Sequence, residues 1–135
     1  WGHYSTQINL FFEQYDLYLT PTTASVAPKN GEVATPAWQK PILKGLLKVG
    51  KAHYLAQGKL VEQMVRDNLS WVPFTQLANV TGLPAMSVPL YWNKNGLPLG
   101  SQFIAPFGRE DRLLQLAAQL EQAQPWMPEY QKIKI

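Results

Sequence analysis

The sequence has no cysteine, two histidines and few charges, with Asp, Glu, Lys and Arg making up 16% of its 135 residues. Lack of cysteine removes disulfides, thiolate metal sites and a cysteine nucleophile together. It leans toward a reducing compartment, so a cytoplasmic location is expected. His3 and His53 are far apart and have no partners at metal-ligand spacing. Each reads as a packing or surface residue, and neither a metal nor any other cofactor is expected. No apolar run approaches the ~18–20 residues of a membrane span, and no basic-then-apolar leader opens the chain. A formal net charge of +3 permits an anionic partner without arguing for one.

A complete catalytic constellation is also missing. Ser70, Ser87 and Ser101 have neither a G-x-S-x-G elbow nor S-x-x-K spacing around them. Ser87 falls in "AMSVP", read as a buried strand, where its hydroxyl is expected to satisfy a backbone group. "GLLKVGKA", Gly45 to Ala52, nearly matches the phosphate-binding P-loop. That loop needs a strand before it and a final hydroxyl for magnesium; here a helical pattern precedes it and Ala52 ends it. Asn68 and Asn79 fit the glycosylation acceptor pattern, which carries no weight without a secretory leader.

What the chain does have is a regular alternation of apolar runs and turn residues. "WGHYSTQINLFFEQYD" places Tyr4, Ile8, Phe11, Phe12 and Tyr15 at helical spacing. It begins without Met and opens inside a helix, as expected of a piece of a longer protein. Leu17–Leu19 reads as a short strand stopped by Thr20-Pro21, because proline cannot donate to a central ladder. Residues 21–40 are rich in Pro, Gly and small side chains, with a turn at Asn30-Gly31, and read as a long loop. Residues 41–69 read as amphipathic helices. Ile42, Leu43, Leu46 and Val49 lie on one side of the first, with Lys40, Lys44, Lys48 and Lys51 on the other. Leu60, Val61, Met64 and Val65 mark the second.

Residues 74–106 hold two paired core strands, Ala85–Leu90 and Leu99–Ile104, joined by a hairpin-type turn at Asn95-Gly96. Both are apolar on successive residues, which predicts burial on both faces. Residues 109–123 give the clearest helix. Glu110 and Asp111 sit in its first turn, Leu113, Leu116, Ala117 and Leu120 line one face, and Pro125 ends it. A single domain over 1–135 is expected, of the α/β class.

Taken together, four stretches resemble the C-terminal part of the amidase signature family. "YDLYLTPT" (Tyr15–Thr22) is similar to its strand-then-Thr-Pro element. "FTQLANVTGLPAMSVPL" (Phe74–Leu90) resembles its Asn-x-x-Gly-x-Pro-Ala-x-Ser-x-Pro block, and "GLPLGSQFIAPFGRED" (Gly96–Asp111) the following Gly-Leu-Pro-x-Gly-x-Gln strand. "LLQLAAQLEQAQPW" (Leu113–Trp126) is similar to the closing helix, while Ala24–Leu69 matches loosely.

The resemblance implies strands of a mixed sheet flanked by helices, in an enzyme that hydrolyses small-molecule amides. The resemblance implies that the family's serine, cis-serine and lysine lie in an upstream Gly/Ser-rich signature and the segment before it, so no catalytic residue is expected in this chain. By position, Trp71, Phe74 and Thr75 are the expected wall of the substrate pocket, with the loop after Pro21 as a second candidate. Gly82 and Pro84 are expected to set a tight entry into a strand that Pro89 closes, with Asn79 holding the bend. A tRNA-dependent amidotransferase is the alternative within the family. An interaction module using the lysine stripe is the alternative outside it. Nucleic acid is not an expected partner, and the chain alone is expected to form a homo-oligomer.

Overall fold

A computed structural model describes residues 2–29 and 59–132, together with Pro41 and Gly45. The lysine stripe, the Asn30-Gly31 turn, the first amphipathic helix and the P-loop-like stretch lie outside the described residues as units. Two compact units are present, Trp1–Ala27 with Val72–Ile135, and Pro28–Trp71.

The first unit is built on a three-stranded sheet of order β1-β3-β2. Helix α1 (Gly2–Phe12) leads into β1 (Tyr18–Pro21). In the second unit the described helix is α2 (Lys59–Trp71). Back in the first unit come α3 (Gln76–Thr81), β2 (Ala85–Trp92), β3 (Pro98–Ile104), α4 (Glu110–Ala123) and a final turn, α5 (Met127–Tyr130). The fold is α/β, and both described strand pairings are antiparallel.

Several boundaries differ from the expectations for physical reasons. Tyr15 lies beyond α1, yet its ring still stacks on Phe11 with centroids 4.6 Å apart. Pro21 belongs to β1, opposite Ser101, instead of stopping it. β1 is an edge of the described sheet, where a missing N–H is tolerated. Pro89 does not close β2 either. The strand runs on to Trp92 through a register shift between Pro89 and Tyr91, a bulge of the kind that accommodates proline at an edge. Burial on both faces holds for Gln102, Phe103 and Ile104 of β3, while β2 alternates and leaves Ala85, Ser87 and Tyr91 exposed.

The entry into β2 forms as the Gly-x-Pro spacing requires. Gly82 adopts φ +68°, and its N–H and that of Leu83 both donate to the Ala78 carbonyl. This left-handed residue turns the chain out of α3 without steric cost only because it has no Cβ. Asn79, expected to hold this bend, is exposed within α3, and Thr81 is the side chain that bonds the helix backbone there, through the Leu77 carbonyl at 2.7 Å.

The β2–β3 turn uses Asn93 as well as the expected Asn95-Gly96. The Asn93 side-chain oxygen accepts from the N–H groups of Asn95 and Leu97, both at 2.9 Å. Gly96 closes the turn at φ +73°.

Each sheet face carries its own core. On one, Ile104 and Tyr18 pack with Ile8 of α1 and with Ala78 and Leu83 of the α3–β2 corner. On the other, Val88, Phe103 and Ala105 pack against Leu113, Leu116 and Leu120 of α4, with Trp126 beyond. The predicted face of α4 is thus the buried one.

Candidate functional site

Sheet register sets the site's geometry. Successive side chains of a strand point to opposite faces, so Thr20 and Thr22, Gly100 and Gln102, and Ser87 share one face. Thr20, Gln102 and Ser87 are aligned across the three strands. This polar row continues the face that Ile104 fills with apolar core. Thr20 and Gln102 are buried. The Gln102 side-chain amide reaches the Phe74 carbonyl at 3.5 Å, while Thr20 Oγ1 has no hydrogen-bond partner among the described residues.

At the open end of this row the Thr22 and Ser87 hydroxyls are 2.5 Å apart. Thr22 is tied to β3 by its N–H, which donates to the Gly100 carbonyl at 2.9 Å. Ser87 is therefore exposed and hydrogen-bonded to a side chain, not buried and bonded to backbone as the sequence suggests. The apolar neighbours that signal burial, Met86 and Val88, serve the opposite face.

These hydroxyls line a cleft of about 250 Å³ with Thr23, Ala27, Pro89, Pro98, Gly100 and Tyr130. Tyr130 is braced by an edge-on contact with Trp92, centroids 4.9 Å apart. The loop after Pro21, the second candidate from the sequence, supplies Thr22, Thr23 and Ala27.

The first candidates sit elsewhere. Trp71 ends α2 and is half-buried. Phe74 is exposed, and Thr75 is half-buried with its hydroxyl donating to the Val72 carbonyl at 3.1 Å. None of the three lines this cleft. Ser87, Gly100 and Tyr130 line the cleft without being among the wall residues expected from the sequence. The signal for two of them is the alignment of hydroxyl and glycine across the hairpin, which Asn95-Gly96 fixes once the register is known.

None of the residues lining the cleft is itself charged, though the Glu129–Lys132 ion pair flanks Tyr130. Arg109 donates to both carboxylate oxygens of Asp111, at 2.8 and 2.9 Å. That bond holds the Asp111 carboxyl below its ordinary range and the Arg109 guanidinium above its own. Arg112 pairs with Asp16. Among the described residues, no group of three or more His, Asp or Glu could hold a metal ion. His3 is exposed beside Tyr4. No described helix is long and apolar enough to cross a membrane.

The architecture can be placed among known proteins. The family model described as Amidase matches residues 1–114. The chain belongs to the amidase family. It corresponds to the C-terminal part of its relatives. The AmiC protein of Mycobacterium leprae is 38% identical over 116 residues, 86% of this chain and 20% of that protein. A solved structure of 6-aminohexanoate cyclic dimer hydrolase complexed with substrate superposes with a TM-score of 0.65 at 31% identity, covering 93% of this chain and 23% of that one. A glutamyl-tRNA(Gln) amidotransferase polypeptide of Synechococcus is 39% identical over 112 residues, 83% of this chain and 17% of its own length. This amidase-family chain spans about a fifth of the length of the curated relatives it matches.

Proposed function

We propose that the chain is the C-terminal scaffold and pocket wall of an amidase that hydrolyses carboxylic amide C–N bonds. The carrying observation is the amidase family match over residues 1–114, supported by the fold shared with 6-aminohexanoate cyclic dimer hydrolase. Nothing in the sequence matches the family's catalytic signature, so the nucleophile is supplied by the rest of the parent protein. There a serine attacks the amide carbonyl, backbone N–H groups stabilise the oxyanion, and water releases the acid. This chain's share is the sheet that backs the site, with Trp71, Phe74 and Thr75 as pocket wall. The substrate is a small apolar or linear amide, which suits the aromatic "SWVPF" segment better than a charged aminoacyl group does. The cysteine-free composition fits a cytoplasmic setting.

The test is a chimaera in which this chain replaces the matching segment of the cyclic dimer hydrolase, assayed on simple amides beside the 135-residue chain alone. Turnover by the chimaera and none by the chain alone is expected. Robust turnover by the chain alone would show that the nucleophile lies within it and defeat the reading. Glutamine-dependent amidation of misacylated tRNA by the parent would instead favour the amidotransferase alternative.

A further inference from the structure

We propose that Thr20 and Gln102 bind one buried water molecule, and that with it Gln102 acts as a positioning residue for the Phe74–Thr75 segment. Thr20 is 8% exposed and Gln102 4%. They are partners across β1 and β3, and directly opposed antiparallel residues have Cβ atoms roughly 4.5–5.5 Å apart. Thr20 Oγ1 has no hydrogen-bond partner among the described residues. A buried hydroxyl left so loses its hydration with nothing in return. Its neighbour has capacity to spare. The Gln102 carboxamide carries two N–H donors and a carbonyl acceptor. Its contact with the Phe74 carbonyl, at 3.5 Å, is at the outer limit of a direct bond. Two deficits thus adjoin on one cross-strand row. A water there would meet the Thr20 hydroxyl, the Gln102 amide and the Phe74 carbonyl, the three partners a buried water typically has.

Gln102 could instead be a core filler. Ile104, two residues along β3 on the same face, fills its place with no polar atom. An apolar side chain at 102 would do likewise and avoid desolvating a carboxamide. What the amide adds is a long-range tie. The Phe74 ring is 38% exposed, so it does not anchor its own segment. The Thr75 hydroxyl bonds only the nearby Val72 carbonyl. Among the described residues, Gln102 makes the hydrogen bond that joins this segment to the central strand. That Phe74 and Thr75 line a substrate pocket rests on the amidase reading, whereas the water and the tie rest on the sheet alone.

Water-selective NMR cross-relaxation on the 135-residue chain tests the site without substitution. A long-lived water is expected beside the Thr20 side chain and the Gln102 side-chain amide. A Gln102 Nε2 proton should exchange with solvent at least about tenfold more slowly than those of exposed Gln131. Thr20→Val keeps the shape and removes the hydroxyl. It should lower the folded-to-unfolded ratio by about tenfold at unchanged m-value, whereas loss of an unpaired hydroxyl would raise the ratio. Gln102→Met should move the Phe74 carbonyl ¹³C resonance while the Ala78 and Leu113 amide resonances stay in place. In the cyclic dimer hydrolase chimaera the same change should raise KM with kcat nearly unchanged, because a displaced wall weakens binding of substrate and transition state alike. No long-lived water, a protein group against Thr20 Oγ1 in its place, or a stabilised Thr20→Val chain overturns the water site. Equal exchange at Gln102 and Gln131, or an unmoved Phe74 carbonyl in folded Gln102→Met, leaves Gln102 a core filler. An active chimaera without these signals fails this proposal alone. An inactive chimaera with them fails the hydrolase reading alone.

Discussion

Gly82 separates conformational cost from crowding. Its φ is +68°, yet a Cβ built there would meet nothing within 4 Å. Gly82→Ala should therefore destabilise the chain by about 1–2 kcal/mol through the left-handed backbone alone, measurable by urea denaturation with an unchanged m-value. Gly100 is the reverse case, with ordinary φ and no room, so its substitution acts through Thr22 and Ser87. Asp111 gives a pH signature. Arg109 holds its carboxyl below the ordinary range, with a smaller opposing effect from desolvation. A group whose folded pKa is depressed contributes stability above its unfolded pKa and loses it as pH falls through the folded value. Asp111→Asn should thus be less stable than the parent at neutral pH, with the gap closing as pH falls below the usual carboxylate range. The pair is exposed, so the effect is small. A gap that widened on acidification would contradict this cause.

At the level of elements, β3 carries the most, because it is the central strand and packs on both faces. Ile104 is fully buried between β3 and the α1–α3 corner. Ile104→Ala should cost about 2–5 kcal/mol, seen as a lower denaturation midpoint. A loss under about 1 kcal/mol would mean that the corner collapses onto the space.

The same elements show what a single sequence discloses. The hairpin, the Gly82 corner and the Leu113–Leu120 face of α4 were legible because each is decided within a few residues by turn chemistry or helical period. The extents of β1 and β2 were not. Pro21 and Pro89 look like strand breakers until it is known that their strands lie at the edges of the described sheet, and edge position is set by pairing across the chain. The cleft was legible only in part. "TPTT" announces the loop after Pro21, but bringing Thr22 over Gly100 toward Ser87 requires a pairing between residues far apart in sequence. Trp71, Phe74 and Thr75 came from resemblance, and the local hydrogen bonds of Thr75 and Phe74 neither add to nor subtract from that assignment.

The two outer strands of the first unit have no further described strand beside them, and its surface carries apolar side chains a monomer usually covers. Leu114 of α4 is 71% exposed, Phe107 80% and Leu19 of β1 60%. Two routes could hide such surface. Edge-to-edge pairing would use the open sides of β1 and β2, but Pro21 interrupts the first and Pro89 with its bulge the second. Prolines and bulges are the devices by which edges resist added strands. Face packing meets no such obstacle, and at roughly 25 cal/mol per Å² even a modest apolar patch outweighs a weak edge. The isolated chain should therefore self-associate through side-chain faces, giving a dimer or larger species by light scattering at micromolar concentration. Leu114→Lys or Phe107→Lys should shift it toward monomer and lower its denaturation midpoint only by the concentration-dependent part that association contributes, since neither side chain is in the core. If charge at those positions leaves the association unchanged while a further proline in β1 abolishes it, pairing at the strand edge drives assembly after all.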